Sequence, residues 1–169
     1  MPPSFRARVW IRRLAWVGIL VPVVFGIRAW QQSDLAHGAA PELAGTRVDG
    51  IPYVLPRQVP RPTLVYFWAS WCAVCRVEQG AIRDIATDHD VVVVALRSGT
   101  DAEVTRYLQS HGLRGPVLND PDGRLAQRWG VRATPTFFVV DGAGNIRFRE
   151  VGYTSAVGLR LRLWLAERI

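Results

Sequence analysis

Residues 63–75 read TLVYFWASWCAVC. The first six, Thr63 to Trp68, are an unbroken apolar, β-branched and aromatic run, as in a short strand buried on both faces. Beyond Cys72 the period changes. Val74, Val77, Ala81, Ile82 and Ile85 recur at three- and four-residue spacing, which predicts a helix to about residue 87. A buried strand therefore runs almost directly into a helix, with two cysteines at the junction.

Cysteines three apart at a helix start lie on one turn, close enough for a disulfide between them. Cys72 sits at the helix N-terminus, where unpaired N–H groups and the helix dipole favour its thiolate. Cys75 lies one turn in and is expected to be more shielded. That asymmetry suits thiol–disulfide exchange: an exposed Cys72 attacks, and Cys75 resolves the mixed disulfide. The chain has no other cysteine. Half a metal site is the competing use of such a pair, but His37, His89 and His111 lie in separate segments. A structural bridge closing so short a loop would stabilise little. Trp71, directly before Cys72, is placed to shield the disulfide and to offer partner contacts. Trp68 reads as core, and Trp129 as either.

Working outward, Val91–Leu96 is a second buried strand, and Asp101 to His111 is a helix with an acidic first turn closed by Gly112. Asp122 to Trp129 is a short helix ended by Gly130. Thr136–Asp141 and Ile146–Val151 are strands joined by GAGN, and Ser155 or Thr154 can cap a last helix with Val157, Leu161, Trp164 and Leu165 on one face. Upstream, Thr46–Val48 and Ile51–Val54 flank the turn signal Asp49-Gly50, giving a first hairpin. Prolines 56, 60 and 62 mark an irregular loop, and residues 31–45 read as a polar, small-residue linker. The expected architecture is α/β, with parallel buried strands, helices on both faces and an antiparallel hairpin, spanning residues 46–169. Gly130 to Pro135 leads into the strand at Thr136, where a cis Thr134–Pro135 bond would form a tight turn.

The net charge of +7 needs locating before it is interpreted. Residues 1–30 hold Arg6, Arg8, Arg12, Arg13 and Arg28 and no acid, which leaves 16 basic against 14 acidic residues in 31–169. Every basic residue is arginine, so a Lys-rich nucleic-acid tail is absent. Residues 14–27 (LAWVGILVPVVFGI) carry no charge and are flanked by Trp10 and Trp30 and by arginines. Val9 to Trp30 would span about 33 Å as a helix, enough to cross a bilayer with its arginines at the edges. Residues 1–13 are thus expected to be a cytoplasmic basic N-terminus and 14–30 a membrane anchor. A cleaved signal segment is the alternative, with cleavage after Ala36-His37-Gly38 or Gly38-Ala39-Ala40. In either case the four leading arginines send the rest of the chain outward.

On YFWASWCAVC and the later ATPTFFVVD, in that order, the sequence resembles the thioredoxin superfamily over roughly residues 42–169. The hairpin, the Arg76 and Glu78 that follow the cysteines, GPVLNDPDGRLAQRWGV and the apolar N-terminus are similar to the membrane-tethered TlpA/ResA/CcmG-like branch. The C-terminal VGYTSAVGLRLRLWLAERI most resembles protein disulfide oxidoreductases of the suppressor-of-copper-sensitivity D type. The resemblance implies a thioredoxin fold, a central mixed sheet flanked by helices with an N-terminal β-hairpin, preceded by one transmembrane helix. It implies Cys72 and Cys75 as the catalytic pair, and Thr134 and Pro135 as the loop that pairs with an extended substrate polypeptide beside Trp71. Glu78 matches the acid of the TlpA-like branch and would accept a proton; it also reads as an ordinary exposed helix acid near Arg76 and Arg83. Tyr66 occupies the position where thioredoxin carries a buried acid, so that group is not used here. Arg132 lies close enough to the substrate loop to steer acidic partners.

The resulting expectation is a periplasm-facing, single-pass inner-membrane oxidoreductase acting on cysteine-containing proteins, recharged by a membrane thiol-electron donor. No bound cofactor, metal or nucleic acid is implied. Ala73 and Val74 add no charge to the thiolate, which points to a reductase. The alternatives are a disulfide-forming oxidase, a copper-binding or copper-tolerance protein using the same thiols, and an apocytochrome c reductase.

Overall fold

The computed structural model describes residues 16, 18, 22, 26, 32–113 and 115–169. The expected basic N-terminus, and all but four positions of the expected anchor, lie outside these residues. Among the described residues no helix is long and apolar enough to cross a membrane. Residues Asp34–Ile169 form one compact unit.

Its centre is a six-stranded sheet. The strands are β1 (Gly38–Ala39), β4 (Thr63–Trp68), β5 (Asp90–Leu96), β6 (Val117–Asp120), β7 (Thr136–Val140) and β8 (Asn145–Val151), in the order β1-β8-β7-β4-β5-β6. β4, β5 and β6 run parallel, while β7 and β8 are antiparallel, so the sheet is mixed. A separate hairpin joins β2 (Ala44–Thr46) and β3 (Pro52–Val54), turning at Asp49-Gly50 as expected. Four helices complete the unit: α1 (Ala73–Ile85), α2 (Asp101–His111), α3 (Arg124–Arg128) and α4 (Ala156–Ala166). This is the thioredoxin fold.

All six residues of β4 are buried, and its alternation divides the core in two. Leu64, Tyr66 and Trp68 face the layer built by Ile82 and Ile85 of α1, Val104 and Leu108 of α2, and Leu159 and Leu163 of α4. Val65 and Phe67 face the other layer, with Trp129, Phe138, Leu35, Leu43 and Leu55. Trp68 and Trp129 are both fully buried, so both belong to the core. The helices start where their caps predict. Thr100 forms a capping box with Glu103 ahead of α2, and Ser155 accepts the Gly158 N–H ahead of α4.

Three expectations need correction. Residues 34–45 are not a linker. Leu35 is 2% exposed and Leu43 is buried, Gly38 and Ala39 pair with β8, and Ala36 donates to the Trp129 carbonyl. Gly130 (φ +68°) permits this close approach, because a Cβ there would collide with the Asp34 carbonyl. The buried face of α4 is Leu159, Leu163 and Ala166, while Val157, Leu161 and Trp164 point to solvent. Finally, β6 is an edge strand that the apolar pattern did not announce.

Candidate active site

The end of β4 is pinned to the end of β5 before the cysteines begin. The Ser70 N–H donates to Ser98 Oγ (3.0 Å), whose hydroxyl donates to the Leu96 carbonyl (3.1 Å). The Trp71 indole N–H donates to the Arg97 carbonyl (3.1 Å), and Arg97 is the one non-glycine with positive φ (47°) among the described residues. Trp71 itself is 61% exposed. Its neighbour Cys72 adopts the extended conformation of an N-cap, and the Cys75 N–H points at Cys72 Sγ (3.1 Å). A main-chain donor is thus aimed at the Cys72 sulfur, at a helix start whose field would favour a thiolate there.

The two cysteines form a disulfide with their Cα atoms 5.3 Å apart. Cys75 is fully buried, and Cys72 is 5% exposed rather than open. The expected asymmetry survives in direction, but attack on Cys72 must follow a narrow approach. Cys72 Sγ lies 3.5 Å from the Thr134 carbonyl oxygen. The Thr134–Pro135 bond is cis, as anticipated. The loop is held from both sides: Thr136 Oγ1 donates to the Ala133 carbonyl (2.8 Å), and the Gly152 N–H donates to the Pro135 carbonyl (2.8 Å).

The β8–α4 connection that reaches Pro135 also reaches Glu78, because the Thr154 N–H donates to Glu78 Oε1. Glu78 is 1% exposed, so it is not the ordinary surface acid that sequence also allowed. Arg83 instead donates to the His111 carbonyl, and among the described residues no ion pair involves Glu78. Burial pushes its carboxyl up to about 7, against the opposing Thr154 hydrogen bond. Glu78 follows Cys75 by three residues and so shares its helix face. The arrangement combines a sulfur pair, an adjacent carboxyl that titrates near neutrality and a main-chain edge at Thr134. It can carry out thiol–disulfide exchange with a local proton acceptor.

Arg132 is 76% exposed at its side chain and pairs with Asp34 (2.8 Å), so its charge is partly spent within the chain. Together with Arg97, Asp122 and Gln127 it lines a groove of about 700 Å³ beside the Trp71 anchor. Among the described residues no group of three or more His, Cys, Asp or Glu side chains is placed to hold a metal ion. Sequence reasoning did not foresee the Thr154 N–H, which no side-chain pattern encodes, or the left-handed Arg97.

The chain matches the AhpC/TSA family over residues 37–149. It is 42% identical over 108 residues to a thioredoxin-like protein of Haemophilus influenzae, a match covering 63% of this chain and 64% of that protein's length. It is 36% identical over 124 residues to the thiol:disulfide interchange protein DsbE of Allochromatium vinosum, covering 71% of this chain and 68% of that one. The crystal structure of a putative thiol:disulfide interchange protein DsbE from Chlorobium tepidum superposes with a TM-score of 0.69 at 26% identity, over 79% of this chain and 99% of that chain. With its fold, its Cys72–Cys75 disulfide and these relatives, the chain belongs to the AhpC/TSA family, among the thioredoxin-like thiol:disulfide interchange proteins.

Proposed function

We propose that this chain catalyses thiol–disulfide exchange on protein cysteines, working as a reductase. The observation that carries the reading is the Cys72–Cys75 disulfide at the start of α1, with Cys72 Sγ against the Thr134 carbonyl. From the dithiol, the Cys72 thiolate attacks one sulfur of a substrate disulfide, and the departing substrate thiolate takes up a proton. Cys75 then gives its proton to Glu78 and attacks Cys72 Sγ. The mixed disulfide breaks, the second substrate thiolate leaves and is protonated, and the enzyme is left with its disulfide. Two electrons pass to the substrate, and the cysteine pair carries them without a bound cofactor.

Thr134 and Pro135 hold the substrate backbone beside Trp71, a strand-edge mode of peptide recognition. The uncharged Ala73 and Val74 between the cysteines support the reducing direction, because neither favours the Cys72 thiolate. Recharging needs a thiol donor. The basic residues 1–13 and the apolar residues 14–30 support a single-pass anchor in the inner membrane, with residues 46–169 and their cysteine-containing partners in the periplasm.

The test has two parts. Equilibration with glutathione buffers should give a reduction potential clearly below about −200 mV, whereas a value near the −120 mV of strong oxidants reverses the direction. Cys75→Ser should accumulate mixed disulfides through Cys72. If none forms while Cys72 remains alkylatable, the exchange mechanism fails.

A further inference from the structure

The core beneath the disulfide holds three buried polar atoms with no hydrogen-bond partner: Tyr66 Oη, Trp68 Nε1 and Glu78 Oε2. Tyr66 and Trp68 alternate along β4 and share the face that carries Cys72, Cys75 and the buried side of α1. A fully buried tyrosine in a layer of leucine, valine and phenylalanine gains nothing from its hydroxyl unless the hydroxyl is used. Its ring stacks on Phe137, with centroids 4.8 Å apart and planes 7° apart, which fixes where the O–H can reach. Glu78 has one oxygen held by Thr154 and one left over.

The Trp68 indole N–H is the other unpartnered donor on this face; the remaining groups packed around the pair have partners of their own or carry no donor. From α2, the Tyr107 hydroxyl accepts from Gln79 Nε2 (2.7 Å). From α4, Arg160 is engaged by Asp84 and Asp88, and Arg162 by Glu150. From β7 the facing residue is Phe137, and the β8–α4 connection offers only its main-chain N–H. On α1 itself the neighbouring group is the Cys75 sulfur, held in the disulfide.

We propose that Tyr66 is a positioning residue for proton transfer: its hydroxyl donates, through one internal water, to Glu78 Oε2 and holds that carboxyl towards Cys75. The inference rests on the exchange mechanism proposed above. A bridging water is the natural link between two buried polar atoms separated by more than direct hydrogen-bond distance. Burial and the neighbouring Glu78 carboxylate push the Tyr66 phenol far above its ordinary range, so it stays protonated and can act as a permanent donor. A donor to the free oxygen stabilises the ionised carboxylate against the burial that opposes it. In effect Tyr66 returns a proton-handling partner to a strand position that carries no acid in this chain.

The test uses the full chain. The Glu78 midpoint is read by carboxyl 13C NMR on the oxidised protein, and the resolving step by stopped flow from pH 5 to 9. Tyr66→Phe keeps the ring and should raise both midpoints by about one pH unit, with up to about tenfold slower resolution at pH 7 and wild-type rates at pH 9. In a Glu78→Gln background the same change should add nothing to the rate effect. If Tyr66→Phe loses the fold, 3-fluorotyrosine placed at position 66 supplies the second arm. Its more acidic phenol is a stronger donor and should lower the Glu78 midpoint, which lost packing cannot do. Unmoved midpoints, or Tyr66 and Glu78 effects that simply add, overturn the proposal. A wild type without exchange activity, or a Cys72→Ser variant that retains it, overturns the underlying reading instead.

Discussion

The main-chain N–H of Thr154 hydrogen-bonds Oε1 of Glu78 across 76 positions of sequence, tying the connection after β8 to the helix that begins at the disulfide. That single donor does not offset the burial of the carboxyl, which is pushed up to about 7 from its model-compound 4.5. A raised folded-state value means that the native chain binds more protons than the unfolded one between those limits. Stability from this group is therefore complete below about pH 4.5 and is lost as pH rises through 7. Glu78→Gln keeps an acceptor for Thr154 and cannot ionise. It should be more stable than wild type at pH 8, by up to about 3 kcal/mol, and equal to it at pH 4. Urea unfolding of the oxidised proteins at both pH values measures this; an equal gap at both would show that the carboxyl is not buried in its charged form.

The strand and helix at the disulfide were legible because β4 is apolar throughout, both its faces being covered, and the change of period after Cys72 marks α1. The face of α1 was read only in part, since Val74 and Val77 are exposed while Cys75, Glu78, Gln79, Ile82 and Ile85 are buried. Other elements obey competing causes. In β6, Asn119 and Asp120 interrupt the apolar pattern, yet Asp120 is buried because its carboxylate accepts the Leu125 and Ala126 N–H groups at the start of α3. The last helix reads AVGLRLRLWLA, apolar on every side, so periodicity does not choose its buried face. Glu78 was marked by its resemblance to the acid of the TlpA-like branch, but its burial depends on the packing of α4 and the β8–α4 connection, which no local pattern records.

The placement of Leu35 in the core carries a consequence for where the folded domain begins. Its carbonyl accepts from Arg149 Nη1 (2.9 Å), and its side chain packs in the layer with Trp129 and Phe138. Leu35→Ala should cost about 2–5 kcal/mol, like other buried leucine truncations. A chain starting at residue 46 loses Leu35, Leu43 and β1 together and should be largely unfolded at 37 °C. Circular dichroism melts of the two proteins decide this. Wild-type melting of the shorter chain would restore the linker reading.

Asp141 organises the β7–β8 turn by accepting from the Ala143 and Asn145 N–H groups and from Arg147 Nε. Burial works against its charge, but the hydrogen bonds from Asn145, Arg147 and Ala143 outweigh it and hold the carboxyl below its ordinary range. Its contribution is therefore present above about pH 4 and lost as pH falls through the lowered folded value. Asp141→Asn should destabilise by about 1–3 kcal/mol at pH 7, and the difference should shrink steadily below pH 4. Denaturant melts as a function of pH test the sign, and a gap that widens in acid would contradict it.

Trp71 joins the catalytic loop to the end of β5 through its indole N–H, while most of its ring stays in solvent. Those two properties separate under substitution. Trp71→Phe removes the hydrogen bond to Arg97 but keeps an aromatic face, and a lost hydrogen bond of about 1 kcal/mol predicts roughly fivefold lower kcat/KM on every disulfide. Trp71→Ala also removes the exposed ring, a large contact available only to a macromolecular partner. It should lower kcat/KM for a protein disulfide by a further factor of about ten, mainly through KM, and leave a small-molecule disulfide at the Trp71→Phe level. Steady-state kinetics on insulin and on oxidised glutathione separate these effects. Equal losses on both substrates in Trp71→Ala would assign the ring to loop geometry rather than to partner contact.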